Sequence, residues 1–153
     1  MKIFWLFCLT AILVSCNNSE EKNSSKTDLQ IGKSSNSKTP QQTDLEKSME
    51  RGALVYKDFC NQCHRPKGKG VGKSFPPLAG SNWLTEKREE SIRAVKYGQK
   101  GEIEVNGQSY DGVMVPMGLS DDEIADVMNY VMNSWGNTQT EMVTEEEVSA
   151  VEK

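Results

Sequence analysis

Cys60-Asn61-Gln62-Cys63-His64 decides how this chain folds, because the stretch names the object around which the rest is arranged. Two thiols three positions apart can add to the two vinyl groups of a haem. The imidazole that follows then lies under the ring, with its Nε2 able to reach the iron. Competing readings of the same residues are weaker. A thioredoxin-like pair needs no adjacent His and sits in a βαβ unit. A structural zinc site takes four ligands, and His64 is the only histidine in the chain.

The other cysteines follow from the N-terminus. Met1 and Lys2 lead into an apolar run from Ile3 to Val14, which ends in Leu13-Val14-Ser15-Cys16. A run of about a dozen residues suits a signal-peptide core and falls short of the ~20 that span a bilayer. The four residues ending at Cys16 resemble a bacterial lipobox, which implies a signal peptide over 1–15, cleavage before Cys16 and lipidation of its thiol. Cys8 would leave with the signal, Cys16 would carry lipid, and Cys60 with Cys63 would carry haem. No cysteine remains for a disulfide. Haem attachment and lipidation both point outside the cytoplasmic membrane, so the expected location is exported, on the periplasmic side, lipid-anchored.

Residues 16–43 hold the lipidated Cys16 and then Asn, Ser, Lys, Thr, Gln and Glu with almost nothing apolar, a composition that reads as a disordered tether. About 26 flexible residues span roughly 25–30 Å. Thr43-x-x-Glu46 reads as a capping box opening the first helix, whose apolar face is Met49, Gly52, Ala53, Tyr56 and Cys60. Gly68, Gly70 and Gly72 mark a loop, and Pro76-Pro77 keeps the next segment out of helix. The spacing predicts a helix from Thr85 to Tyr97, stopped by Gly98. Residues 103–110 alternate around Asn106-Gly107, a hairpin signal in an otherwise helical domain. A loop follows, containing Met114 and Met117. Ser120-x-x-Glu123 caps a last helix with Ile124, Val127, Met128, Val131 and Trp135 on one face, ended by Gly136-Asn137. Residues 138–153 are expected to be an acidic flexible tail, with at most a transient helical turn from Glu145 to Val151. Residues 44–137 are then one small all-α domain whose peptide core is marginal alone, so the haem-free chain is expected to be largely unfolded.

A net charge of −4 and a pI near 5.1 argue against nucleic acid as a partner. Lys57, Arg65, Lys67, Lys69 and Lys73 nevertheless cluster around the haem motif. They read either as a solvated surface or as a basic rim that steers an acidic redox partner.

Residues 45–137 resemble a class I cytochrome c domain. The resemblance rests on Cys60-x-x-Cys63-His64, on Pro76-x-Leu78-x-Gly80, on the methionine loop, and on the stretch from Leu119 to Val127 with Asn129-Tyr130-Val131 and Trp135-Gly136-Asn137. That last stretch is similar to the C-terminal helix of cytochrome subunits of bacterial respiratory dehydrogenases and oxidases. The resemblance implies a small cytochrome c fold around one covalent haem c, with the hairpin near 103–110 as an insertion. It implies that Gly52 and Tyr56 cross the last helix at Val127, Tyr130 and Val131. His64 would be the proximal ligand, with the Pro76 carbonyl accepting from its Nδ1. The distal ligand would be a thioether. Met114 is favoured over Met117 because it keeps the family's distance from the last helix, although neither is followed directly by proline. Leu78, Trp83, Tyr97 and Val113 would line the pocket.

Two fixed axial ligands leave no open iron site, so the expected role is a one-electron carrier and not an enzyme. Expected donors are a dehydrogenase or quinol-oxidising complex, and expected acceptors an oxidase or reductase. Two alternatives stay open. One is a permanently docked haem subunit of a larger oxidoreductase. The other is a haem sensor or weak peroxidase with a labile methionine.

Overall fold

In a computed structural model, residues 43–139 and 141–153 are described, all within the unit Lys38–Lys153. The expected signal peptide, Cys16 and nearly all of the tether lie outside the described residues. The fold is mostly helical: α1 (Asp44–Val55), α2 (Asn61–His64), α3 (Asn82–Glu86), α4 (Arg88–Tyr97), α5 (Asp121–Met132) and α6 (Glu145–Ala150), with β1 (Ile103–Val105) and β2 (Gln108–Tyr110).

Thr43 starts α1 as its spacing implies. Its Oγ accepts from Glu46 N at 3.2 Å, and Glu46 returns a carboxylate oxygen to Thr43 N at 2.8 Å. The helix loosens at Tyr56–Cys60, a π-helical turn in which Asn61 N donates to Tyr56 O, before tightening into α2. Such a turn re-aims the residues that follow it, here both cysteines and His64. Arg65, with φ of 66°, ends α2, and its carbonyl accepts from the Tyr56 hydroxyl at 2.6 Å.

α1 and α5 cross at Gly52. A Cβ there would lie 2.0 Å from Asp126 O and 2.9 Å from Tyr130 Cβ, so only glycine allows this approach. Beside the crossing, the rings of Tyr56, Tyr130 and Trp135 pack with centroids 5.0–5.5 Å apart. The buried face of α1 differs from the one read from sequence. Ser48 is fully buried while Met49 and Ala53 are half-buried, because Asp126 draws the polar side of α1 inward. Its carboxylate accepts from Ser48 Oγ at 2.7 Å and from Arg51 Nε and Nη2 at 2.6 and 2.7 Å.

Three further expectations are corrected. The single helix over Thr85–Tyr97 is two, α3 and α4, separated at Lys87 with φ −130° and ψ 57°. The last helix of the domain ends at Met132, four residues before Gly136; Trp135 lies beyond it with φ of 54°, its ring against Gly68. The acidic tail is not loose. Val143, Val148 and Val151 are buried in the core, and α6 packs on α5. One of its acids meets a cation of α4: Arg88 binds Glu147 through Nε at 2.6 Å and Nη2 at 2.8 Å. The mutual interaction lowers the Glu147 carboxyl below, and raises the Arg88 guanidinium above, their ordinary ranges. Asn129 completes the join, donating to Val143 O at 2.9 Å and accepting from Val143 N at 2.7 Å, as a strand partner would.

The hairpin is as read. Ile103 pairs with Tyr110 and Val105 with Gln108 across Asn106-Gly107, both at positive φ as a type I′ turn requires. Asn106 also ties the hairpin to α3, exchanging bonds of 2.8 and 2.9 Å with Asn82 through backbone N–H and side-chain oxygen.

Candidate haem-binding site

The helices, hairpin and loops leave an open cleft between them. Cys60, Cys63 and His64 line it from the motif; Pro76, Pro77 and Leu78 from the following loop; Ala94 and Val95 from α4; Ile103, Val105 and Tyr110 from the hairpin; and Val127, Met128 and Val131 from α5. Met114 and Met117 line it from the loop before α5. The lining is overwhelmingly apolar, which a hydrophobic macrocycle would fill.

His64 is buried, and its Nδ1 lies 3.0 Å from Pro76 O. That bond requires the proton on Nδ1 and leaves Nε2, for which no hydrogen bond is found among the described residues, with a free lone pair. Burial lowers the pKa of the imidazole, against a smaller opposing effect of the Pro76 carbonyl, so it stays neutral, the form that binds metals. The loop geometry behind this bond depends on Gly70. With φ of 64°, a Cβ there would meet Phe75 O at 2.1 Å and Pro76 O at 2.7 Å. Cys60 and Cys63 are both free and half-buried, and burial pushes the Cys60 thiol up to about 11.

Met114 is fixed through its backbone. Its N–H and C=O each bond Gln99 at 2.8 Å. No such pairing holds Met117 among the described residues. Leu78 and Trp83 line the cleft as expected, and Val113 stands at its rim, 73% exposed. Tyr97 does not line it; its hydroxyl instead donates to Val151 O at 3.1 Å.

One residue that braces the site was missed. Asn137, read only as a helix stop, is buried; it accepts from Gly80 N and donates to Leu78 O and Val131 O, each at 2.8 Å. It locks the Pro76–Gly80 loop to α5. Only its place in the family-like Trp-Gly-Asn ending could have signalled this, since an asparagine after a helix usually caps it.

A greasy cleft whose wall carries two unpaired thiols and a fixed neutral imidazole suits a covalently attached porphyrin, and the fold is that of a small helical haem-binding domain. A family model for cytochrome c matches residues 49–135, and the chain belongs to the cytochrome c family. It is 41% identical over 93 residues to cytochrome c-552 of Thermus thermophilus, covering 58% of this chain and 70% of that one. It is 35% identical over 102 residues to the cytochrome c subunit of a quinone alcohol dehydrogenase from Gluconacetobacter polyoxogenes, and 31% over 112 residues to the gluconate 2-dehydrogenase cytochrome c subunit of Pantoea cypripedii. Those matches cover 64% and 68% of this chain but only 21% and 24% of the subunits. The protein binds haem c covalently and acts by electron transfer, not catalysis.

Proposed function

We propose that Cys60 and Cys63 form the two thioether bonds to the haem, that His64 and Met114 are its axial ligands, and that Pro76 and Leu78 support it. The observation that carries this is the 3.0 Å contact from His64 Nδ1 to Pro76 O, which fixes the ring and frees Nε2. When bound, the haem supplies a one-electron couple, and a thioether ligand favours its reduced form. The chain does the rest. The apolar lining excludes water and penalises added charge. Gln99 holds the Met114 backbone in place, so the thioether would need little movement on change of oxidation state. With His64 and Met114 both holding the iron, oxygen and peroxide would find no site. Met114→Ala should keep the haem attached yet let ferrous protein bind carbon monoxide, whereas Met117→Ala should not. The opposite pattern would assign the ligand to Met117.

The carrier is further proposed to be exported and lipid-anchored through Cys16 on the periplasmic side, on the strength of Leu13-Val14-Ser15-Cys16. It would take electrons from a dehydrogenase or quinol-oxidising complex and pass them to an oxidase or reductase. Lys57, Arg65, Lys67, Lys69 and Lys73 are all exposed and would steer an acidic partner. The similarity to cytochrome subunits of dehydrogenases favours a second reading, a haem subunit docked permanently on such an enzyme. Co-purification of a stoichiometric partner after detergent extraction decides between them; its absence supports the shuttle.

A further inference from the structure

The segment after Asn137 lies beyond residues 49–135 that the family model matches, and most of its polar bonds run to α4. Near the start of α4, Arg88 holds Glu147 and also donates from Nη1 to Gln139 Oε1 at 3.0 Å and Glu141 O at 3.3 Å. Near its end, Arg93 donates to Glu152 O at 2.9 Å, Lys96 to Val148 O at 2.8 Å and Tyr97 to Val151 O at 3.1 Å. Between these polar anchors, Ile92 and Val148 are fully buried.

α4 then stops at Gly98, with φ of 85°. A Cβ there would lie 2.6 Å from Met114 O and 2.9 Å from Pro116 Cδ. The next residue is Gln99, which exchanges both backbone bonds with Met114. The final anchor of the C-terminal segment on α4, Tyr97, is therefore two residues from the clamp on the methionine loop. Ala94 and Val95 of the same helix line the cleft.

We propose that Gln139 and residues 141–152 form a positioning strap. By holding α4 in place the strap holds the Gln99–Met114 pairing, and so keeps the thioether on the iron. The inference rests on Met114 as the distal ligand. Its physical basis is local stability. A neutral thioether is a weak ligand, and a loop joined to the domain by two hydrogen bonds opens more easily when the helix behind it is loose. Arg88, Lys96, Tyr97 and Glu147 are thus positioning residues that act through α4.

The test uses the full haem-loaded protein, its Glu147→Gln/Tyr97→Phe double variant, and a truncation ending at Asn137. Two signals are followed on heating: the methionine–iron charge-transfer band and the far-ultraviolet helix signal. Carbon monoxide binding to the ferrous protein is timed at 25 °C. The strap account expects the band to vanish well before the helices melt in both variants, with carbon monoxide binding faster by about tenfold or more, the ratio that 1.4 kcal/mol of lost loop stability gives. If band and helix signal fall together and carbon monoxide binding keeps the parent rate, the segment is only a stabiliser and the proposal is overturned. Should the truncation fail to fold, the double variant decides. Failure of the ligand assignment looks different: the band would be absent from the parent, or would survive Met114→Ala, and either result would overturn the strap with it.

Discussion

Replacing Gly52 by alanine puts a methyl group in place of a hydrogen at the tightest point of the fold. The new Cβ would sit 2.0 Å from Asp126 O, 2.5 Å from Asp126 C and 2.9 Å from Tyr130 Cβ. The first two are backbone atoms of α5, so no rotamer change relieves them. α1 and α5 must part by roughly 1.5 Å to bring the 2.0 Å contact to an ordinary distance of about 3.5 Å. Overpacking of this kind costs about 1–3 kcal/mol, and the upper end applies because the obstruction is backbone. Separation also strains the short bonds from Ser48 and Arg51 to Asp126. Against this, alanine gains about 1 kcal/mol of helix propensity over glycine. A net loss of about 2 kcal/mol follows, equivalent to roughly 8–16 °C in Tm for a domain of this size. Thermal unfolding of the haem-loaded protein, read by far-ultraviolet circular dichroism, measures it directly. A Gly52→Ala protein that melts at or above the parent temperature would refute the account of the crossing.

Other perturbations separate the remaining elements. Gly70→Ala should shift the midpoint potential, because its Cβ pushes on Pro76 O and so on the His64 bond. Gly72→Ala, at φ of 49° with open space around it, should cost only about 1–2 kcal/mol of backbone strain and leave the potential unchanged. Asn129→Ala strands the buried N–H and C=O of Val143 and should destabilise by about 2–4 kcal/mol in urea titration. Glu147 has a folded-state pKa below its unfolded value of about 4.3. Its contribution is therefore complete above that pH and is lost as pH falls through the lower folded value. Hydrogen exchange over 141–151 should accelerate in that acid window in the parent, and should lack that acid step in Glu147→Gln. If the exposed lysines and Arg65 steer a partner, its association rate should fall steeply with ionic strength, and charge reversal at Lys69 and Lys73 should flatten that slope.

The cofactor motif and the two capping boxes were plain in the sequence, because each rests on local chemistry: a fixed spacing of thiols and imidazole, or a side chain reaching three residues along its own backbone. The same holds for the Asn106-Gly107 turn. The tail was misread because its signal is not local. Val143, Val148 and Val151 sit among acids and follow no clean helical stripe; the apolar core that receives them and the groups that anchor their segment, Asn129 of α5 with Arg88, Arg93 and Lys96 of α4, all lie earlier in the chain, the cations some 50 to 60 residues back. Ser48 was overlooked for a related reason, since a serine on a helix enters a core only when a distant carboxylate, here Asp126, receives it. The break at Lys87 also had no local mark, as neither glycine nor proline stands there. At the site itself, residue types foretold the Pro76 carbonyl through family likeness, while the bracing by Asn137 needed the tertiary structure.

The proposed iron site is closed, held by His64 and a methionine for passing single electrons. Its closure is tested most directly by the absorption spectrum of the purified protein, ferric and ferrous, with and without carbon monoxide. Low-spin spectra in both states, a methionine–iron charge-transfer band in the ferric form, and at most slow binding of carbon monoxide by the ferrous form are expected. A high-spin ferric spectrum, or ready carbon monoxide binding by the ferrous protein, would contradict closure and make this a haem protein with an open site.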